Sequence, residues 1–226
     1  MDTVLAAVAA NWVEIVAVAF GLVSVYLASR QRIASWPTAI VNVGIFFVLF
    51  WRARLYADSV LQLVYLALSV YGWWAWLHGG AAHERLRVSR ATRRLWLAGT
   101  PVVLAAGIAL GAALDRYTDS PVPYFDALLT SASLAAQWMM TRKILENWLV
   151  WIVADIVYVP MFVFRGLPFT AGQYLVFLVL AVIGYVGWRR SWAADRLAEA
   201  HGPASVLAAS AGRTGQGGPA AGGSPA

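Results

Sequence analysis

Long apolar runs restrict what this chain can fold into more than any other feature. Several runs of about twenty residues carry few charged side chains, and a helix of that length crosses the hydrocarbon core of a bilayer. Hydrophobic residues make up 61% of the sequence and charged residues only 12%, which lies outside the range of soluble globular domains. The sequence therefore predicts an all-α protein that crosses the membrane several times.

The apolar runs predict seven transmembrane helices. Their expected ranges, in chain order, are about 12–29, 35–51, 58–78, 95–114, 124–141, 147–164 and 170–188. Ser35 and Pro37 at the start of the second run are suited to an N-cap and a first helical turn. We expect a transmembrane domain over residues 1–192. The remainder, 193–226, is rich in Gly, Ala, Pro and Ser, and we expect a cytoplasmic tail that is disordered from about His201.

Basic residues are distributed unequally between the two sides of the predicted bundle. With seven spans, 4 of the 17 Lys and Arg residues share a side with the N-terminus and 13 lie on the other side. Cytoplasmic loops carry the excess of Lys and Arg. We therefore expect the N-terminus outside and the C-terminus in the cytoplasm. The net charge of +6 is then a topology signal, and no nucleic-acid partner is expected. The N-terminus has no basic n-region, so no cleavable signal peptide is expected.

The chain matches itself at an offset of 112 residues without a gap. The pairs that are unusual between two apolar helices are Trp36 with Trp148, Glu14 with Asp126, Arg30 with Arg142, Gly72 with Gly184 and Trp76 with Trp188. The match predicts two three-helix repeats, at about 11–78 and 124–190, with the helix at about 95–114 between them. Both repeats start on the same side, so they are parallel, as in SWEET-type transporters, whose solute sites lie between repeats near the midplane.

The sixth predicted helix carries the most distinctive polar face. Trp148, Trp151 and Asp155 lie at i, i+3 and i+7 and therefore share that face. An ionisable group inside a membrane helix is costly and faces a bundle interior or a wet cavity, and indoles attract flat cations. We interpret Asp155, Gln137 and Asn42 as part of a substrate pathway, although tryptophan near a helix end is also typical of interfacial anchoring.

Several kinds of chemistry are excluded by what the sequence lacks. It has no nucleotide-binding loop, no HExxH motif and no Ser/His/Asp or Cys/His constellation. It has no cysteine, and its three histidines show no metal-binding spacing. We therefore expect no enzymatic activity, no cofactor and no metal. A single acid within the spans is too little for ion coupling, so the sequence favours facilitated diffusion.

At this point the motifs resemble the PnuC family of bacterial vitamin transporters, over about residues 12–192. The most specific is Arg-Lys-x-x-Glu-Asn-Trp-x-x-Trp-x-x-x-Asp at 142–155. The others are Trp36-Pro37, Leu55-Tyr56-Ala57-Asp58, Leu61-Gln62 with Tyr65, Tyr71-Gly72-Trp73-Trp74-Ala75-Trp76, Asp126-Ala127, Ala136-Gln137, Thr170-Ala171 and Tyr174.

The resemblance implies a SWEET-like fold of three, one and three helices in the bacterial cytoplasmic membrane. It implies nicotinamide riboside as the substrate, uniport without ion coupling, and a homotrimer surrounded by membrane lipid. A cytoplasmic riboside kinase would trap the substrate by phosphorylating it. The substrate-binding residues that the resemblance implies are Asn147, Trp148, Trp151, Asp155, Gln137, Gln62 and Tyr65.

The chemistry of the substrate fits these residue types but leaves alternatives open. Indoles stack on a pyridinium, side-chain amides pair with a carboxamide, and a carboxylate accepts hydrogen bonds from ribose hydroxyls. Thiamine or riboflavin on the same fold remains an alternative, as does a sugar or another small solute. An alternative of another class is a receptor or accessory protein that transports nothing. The first repeat has Ala39 where the second has Trp151, so we expect the sixth helix to dominate the pocket.

Overall fold

The chain forms a bundle of helices joined by short connections. The computed structural model describes residues 2–80, 84–118, 122–164, 166 and 168–214, with side chains from Trp12 to Glu199. Within these ranges the helices are α1 Asp2–Ser29, α2 Ser35–Arg52, α3 Tyr56–His78, α4 Arg93–Tyr117, α5 Pro123–Thr141, α6 Asn147–Phe164 and α7 Pro168–Thr214. Each of the seven predicted helices is present.

Six of these helices are long and apolar enough to cross a membrane, and the exception is α5. Its sequence is more polar, with Thr130, Ser131, Ser133 and Gln137 within 19 residues. It packs against α3, α4 and α6 inside the bundle. Polar groups in a membrane helix are tolerated where other helices rather than lipid surround them. The polarity of α5 therefore follows from its central position.

The predicted repeat is visible in the backbone. The described residues with positive φ are Gln31 at 54°, Arg54 at 62°, Lys143 at 49° and Gly166 at 72°. They form two pairs, each separated by 112 residues. Such torsions are uncommon for residues other than glycine, so their recurrence at one offset marks the turns after α1 and α5, and after α2 and α6, as equivalent. The two repeats are α1–α3 and α5–α7, and α4 joins them.

Helix α4 packs closely on α5 through two glycines. A Cβ atom on Gly107 would lie 2.5 Å from Leu128 Cδ2, and one on Gly111 would lie 2.5 Å from Tyr124 Cδ1. Small residues one turn apart let two membrane helices approach each other. The joining helix is therefore attached to the first helix of the second repeat.

The start of α2 differs from the prediction. The helix begins at Ser35, so its N-cap is Ala34 and the prediction of Ser35 as the cap was wrong by one residue. The chain enters α2 through a tight turn in which Ser35 N donates to Arg32 O, and this turn makes Ala34 already helical. Ser35 is instead buried, and its carbonyl oxygen accepts a hydrogen bond of 2.9 Å from Ser24 Oγ.

Helix α7 also differs from the prediction, because it continues to Thr214. The contacts divide the chain into two units, and the second begins at Arg190. The backbone over residues 201–214 is helical, where disorder was expected from about His201. Alanine, the strongest helix former, is frequent in this segment. The rest of the predicted tail, 215–226, lies outside the described residues.

Candidate functional site

A cavity of about 360 Å³ is lined by both repeats. Helices α1–α3 contribute fourteen of the lining residues and α5–α7 contribute nine, of which α6 supplies three. The expectation that the sixth helix dominates the pocket was therefore wrong. Ala39 leaves space where its counterpart Trp151 would fill it, so the cavity extends into the first repeat.

Six of the seven predicted site residues line this cavity. They are Trp148, Trp151, Asp155, Gln137, Gln62 and Tyr65. The seventh, Asn147, is fully buried at the start of α6, where its Nδ2 donates a hydrogen bond of 2.6 Å to Ile144 O. This bond directs the Asn147 amide to the connection before α6 rather than to the cavity. That the other six bind substrate stays a prediction.

Asp155 is the acidic residue among those that line the cavity. It is 4% exposed, and it forms no hydrogen bond or ion pair with the described part of the chain. A buried carboxylate without a partner is costly. A solute that brings a positive charge or hydroxyl donors would supply the missing partner. The indoles of Trp148 and Trp151 lie on the same helix face.

Asn42 reaches the cavity from α2, as the sequence predicted for the substrate pathway. Its Nδ2 donates a hydrogen bond of 2.7 Å to Ala17 O on α1. A Cβ atom on Gly21 would lie 2.9 Å from this nitrogen, so the glycine makes room for the amide. The bond holds Asn42 in place and leaves its Oδ1 as the atom that can accept from a solute.

Trp36 lines the cavity although it was not among the predicted site residues. The sequence contained the signal, because the offset of 112 pairs Trp36 with Trp148. Gln173 and Tyr174 on α7 were also missed as site residues. Tyr174 packs against Tyr158 and Phe162 of α6, with ring centroids 4.7 and 5.1 Å apart. Only the packing of α7 on α6 brings these rings together, and no sequence period predicts it.

Four tryptophans close one end of the cavity, and we call them the tryptophan floor. They are Trp36, Trp76, Trp148 and Trp188, each at most 3% exposed. Trp36 meets Trp76 edge-on at 5.2 Å, and Trp148 meets Trp188 edge-on at 5.5 Å. Trp76 and Trp188 are 5.7 Å apart across the two repeats. The floor is therefore two indole layers thick.

The glycines paired by the repeat make room for the cavity-facing layer of this floor. A Cβ atom on Gly72 would collide with the ring of Trp36, and a Cβ atom on Gly184 would lie 2.6 Å from Trp148 Cε2. The match of Gly72 with Gly184 at an offset of 112 therefore has a packing cause. Each glycine lets the third helix of its repeat approach the tryptophan of the second.

The inner layer of the floor joins the repeats by two crosswise hydrogen bonds. Trp76 Nε1 donates to Met140 O at 3.0 Å, and Trp188 Nε1 donates to Ala28 O at 3.0 Å. Donors and acceptors are both 112 residues apart. Each repeat thus donates one bond to the other, which is the pattern that a two-fold axis between them produces.

Lys143 lies beneath the floor and does not behave as the exposed topology charge that the sequence suggested. It is 7% exposed, and its Nζ lies 4.5 Å from the ring centroid of Trp76. The same nitrogen is 3.5 Å from Gln31 Oε1, the residue that matches Lys143 in the first repeat. An indole face stabilises a buried ammonium group, so Lys143 belongs to the packing of this end.

Comparison with known proteins identifies similar sequences over most of the chain. A family model described as nicotinamide mononucleotide transporter matches residues 11–190. The nicotinamide riboside transporter PnuC of Escherichia coli (strain K12) is 26% identical over 206 residues, which are 80% of this chain and 86% of that protein. The riboflavin/roseoflavin transporter RibM of Streptomyces davaonensis is 26% identical over 183 residues, which are 78% of this chain and 84% of RibM. These relatives are transporters rather than enzymes.

One solved structure shows the same fold. It is described as the crystal structure of the vitamin B3 transporter PnuC, and it matches with a TM-score of 0.62 and 23% identity. The match covers 84% of this chain and 85% of that chain. The predicted fold class, an all-α multi-pass membrane protein, is thereby confirmed.

Proposed function

The chain belongs to the nicotinamide mononucleotide transporter family, as its resemblance to PnuC proteins implied, and from this premise we propose that it carries nicotinamide riboside across the cytoplasmic membrane. The observation that supports this substrate most directly is Asp155, a buried carboxylate in the cavity with no partner in the described part of the chain. Nicotinamide riboside carries a pyridinium cation and ribose hydroxyls, and both can complete such a carboxylate.

The remaining walls of the cavity suit the rest of this molecule. The indoles of Trp148 and Trp151 offer faces on which a flat cation can stack. Amides from both repeats, including Asn42, Gln62 and Gln137, offer donors and acceptors for the carboxamide and the ribose. Solute sites are generally apolar with a few placed polar groups, and this cavity follows that pattern.

Transport in this proposal is uniport by facilitated diffusion. The cavity lining contains one acid and no basic residue, which leaves little to bind a coupling ion. Net uptake would then depend on a cytoplasmic riboside kinase that phosphorylates the product. The N-terminus lies outside, because 13 of the 17 basic residues fall on the opposite side. The assembly in this proposal is the homotrimer that the family resemblance implies.

Riboflavin is the second candidate, because RibM is as similar to this chain as the riboside transporter of Escherichia coli. Riboflavin is larger than the riboside and carries no positive charge at neutral pH. It could donate ribityl hydroxyls to Asp155 but could not neutralise it. Thiamine, a cation, tests the same requirement for charge with a different ring system.

Titration calorimetry of the purified protein with nicotinamide riboside, thiamine and riboflavin in parallel tests the substrate. Binding of the riboside with at least tenfold preference over the other two is the expected result. Preferred binding of riboflavin would reassign the pocket, and absence of binding by all three would favour a non-transporting protein.

Proteoliposomes test the transport mechanism. Riboside uptake is expected to stop at equal concentrations inside and outside, and an imposed proton or sodium gradient should not change that end point. Enclosing a riboside kinase with ATP should convert equilibration into accumulation. Accumulation driven by an ion gradient without the kinase would contradict uniport.

A further inference from the structure

The tryptophan floor leaves no passage from the cavity to the end that faces the cytoplasm in the proposed orientation. Trp36 and Trp148 line the cavity, and Trp76 and Trp188 pack beneath them. Beneath Trp76 lies Lys143. A solute can leave at this end only if the two repeats separate there, which must break at least one of the two indole–carbonyl hydrogen bonds.

The two halves of the floor have different support on the side away from the cavity. The connection before α6 is tied to a strap, residues 86–91, that comes from the chain between α3 and α4. Ser89 N donates to Lys143 O at 3.0 Å, and Ser89 O accepts from Leu145 N at 2.9 Å. The strap thus pairs with this connection like a short piece of sheet.

Glu146 completes the attachment of the strap. One carboxylate oxygen accepts from Arg90 Nε at 2.8 Å, and the other accepts from Ala91 N at 2.7 Å. Glu146 is 5% exposed, and residues 143–146 are all buried. A hydrogen-bonded, buried carboxylate of this kind is stronger than a surface ion pair.

The equivalent connection in the first repeat has a different environment. Ala34 stands at the position of Glu146, and its methyl group cannot accept hydrogen bonds. Residues 30–34 are all exposed or half-buried. Ala28, which accepts the bond from Trp188, lies directly before this connection, whereas Met140 lies directly before the strapped one.

From this asymmetry we propose that the floor opens on one side only. The end of α1 and residues 30–34 move away and break the Trp188–Ala28 hydrogen bond, while the Trp76–Met140 bond stays closed under the strap. The inference rests on the proposed function as a transporter but not on the identity of the solute. It makes Trp188 the residue that holds the exit shut, and Glu146 the residue that fixes the opposite half.

Buried polar atoms without partners support a floor that opens. Within the described residues they are Ser35 Oγ, Trp36 Nε1, Ser69 Oγ, Asn147 Oδ1 and Trp148 Nε1. Leaving a buried polar atom unpaired is unfavourable, and water that enters on opening would pair these atoms. Three of the five belong to α2 and α3, in the half that moves.

Spin labels can follow this movement, because the chain contains no native cysteine. Ser89→Cys on the strap serves as the reference position. Arg32→Cys marks the first connection and Arg142→Cys marks the second, and all three positions are exposed. Each double variant is labelled, placed in lipid nanodiscs without solute, and its distance distribution is measured by double electron–electron resonance.

The expected result differs between the two connections. The 32–89 distance should show a major and a longer minor population, and the 142–89 distance should show one. Trp188→Phe keeps an aromatic ring and removes the donor to Ala28. It should raise the longer 32–89 population about fivefold, the effect of one ordinary hydrogen bond. The matched variant Trp76→Phe should leave both distances unchanged.

Glu146→Ala tests the strap itself. It removes the acceptor for Arg90 and Ala91, so the 142–89 distance should acquire a second population. An unchanged 142–89 distance in this variant, or equal responses to Trp188→Phe and Trp76→Phe, would overturn the proposal. A single 32–89 population in every variant would overturn it as well. No solute is present, so failure of the riboside to bind in calorimetry would remove the proposed substrate without altering this result.

Discussion

At the scale of single residues, the surroundings of Asp155 restrict the solute most. The carboxylate is buried at the cavity wall, and the described part of the chain provides no hydrogen bond or opposite charge for it. Burial removes the water that would otherwise stabilise the charge. A solute that completes this group gains more from binding than an apolar solute of the same shape. Selectivity in this cavity therefore depends on charge and hydroxyl donors as well as on fit.

Asp155→Asn should weaken riboside binding. The substitution keeps the size of the side chain and removes its charge. Hydrogen bonds to charged groups contribute about 1.5–3 kcal/mol, so we expect Kd to rise about 10- to 100-fold. Titration calorimetry measures the change, and Glu14→Gln on an exposed position of α1 is the control for loss of one acid. An unchanged Kd in Asp155→Asn would remove this residue from the site.

Gly184→Ala should destabilise the protein and disturb Trp148. The added methyl group would lie 2.6 Å from the indole, which is wedged in the floor and has no room to shift. Overpacking of this kind costs about 1–3 kcal/mol. Thermal unfolding in detergent should show a lower Tm and calorimetry weaker riboside binding. Gly172→Ala on the same helix meets nothing within 4 Å and should change neither; a matching loss there would contradict the steric explanation.

The residues predicted from the sequence are those whose signals are local. Trp148, Trp151 and Asp155 share a helix face by their spacing alone, and the structure places all three on the cavity. Asn147 and Lys143 were placed differently, because their contacts come from residues that the sequence spacing does not relate to them. Lys143 meets Trp76 and Gln31, 67 and 112 positions away, only after the two repeats have packed.

At the scale of elements, the connection between α4 and α5 depends on close backbone approach. Gly107 and Gly111 lie one turn apart and both face α5. Without a hydrophobic driving force between helices in lipid, such packing is a main source of helix association. Because α4 joins the repeats and leads from the strap, its attachment also affects where the strap lies.

Gly111→Ala should therefore loosen α4 from α5. The added Cβ would lie 2.9 Å from Tyr124 Cα, a backbone atom that cannot move without the helix. We expect a fall in Tm of several degrees, which corresponds to about 1–3 kcal/mol. Gly99→Ala on the same helix meets only Leu95 Cδ1 at 3.9 Å, so it is the matched control. Equal Tm values for the two variants in detergent would show that the contact contributes little.

Most elements could be predicted because a membrane helix is a single long apolar run. The predicted and observed ends of α2 to α6 differ by at most three residues. The ends of α1 and α7 differ more, because alanine-rich sequence extends the helical backbone without the apolar signal of a span. The strap had no local signal at all, since its pairing with residues 143–145 joins segments about fifty positions apart.

At the scale of the whole molecule, the repeats are bound to each other by bonds that neither could form alone. The sequence predicted two equivalent units from matched residues, and the crosswise bonds of Trp76 and Trp188 relate them by the same offset. The sequence could not predict that one unit carries a strap and the other does not. That difference arises because α4 follows the first repeat only, so the symmetry of the bundle is broken at one end.

The proposed orientation can be checked with single cysteines in the cysteine-free chain. Thr118→Cys lies after α4 and Arg85→Cys lies before it, and both positions are exposed. In intact cells a membrane-impermeant maleimide should label Thr118→Cys, and it should label Arg85→Cys only after permeabilisation. Single cysteines serve as controls for each other, and the reverse pattern would invert the topology.

The paired left-handed turns preserve a record of ancestry. Three of the four positive-φ residues carry side chains for which such torsions are unfavourable, and the residues at matching positions have nothing in common chemically: Gln31 with Lys143, and Arg54 with Gly166. Local preference therefore did not keep these turns; the geometry of the helices on either side did. A gene duplication whose letters have largely diverged can still be dated to one event by its torsion angles. Other chains of this architecture can be searched for hidden halves in the same way.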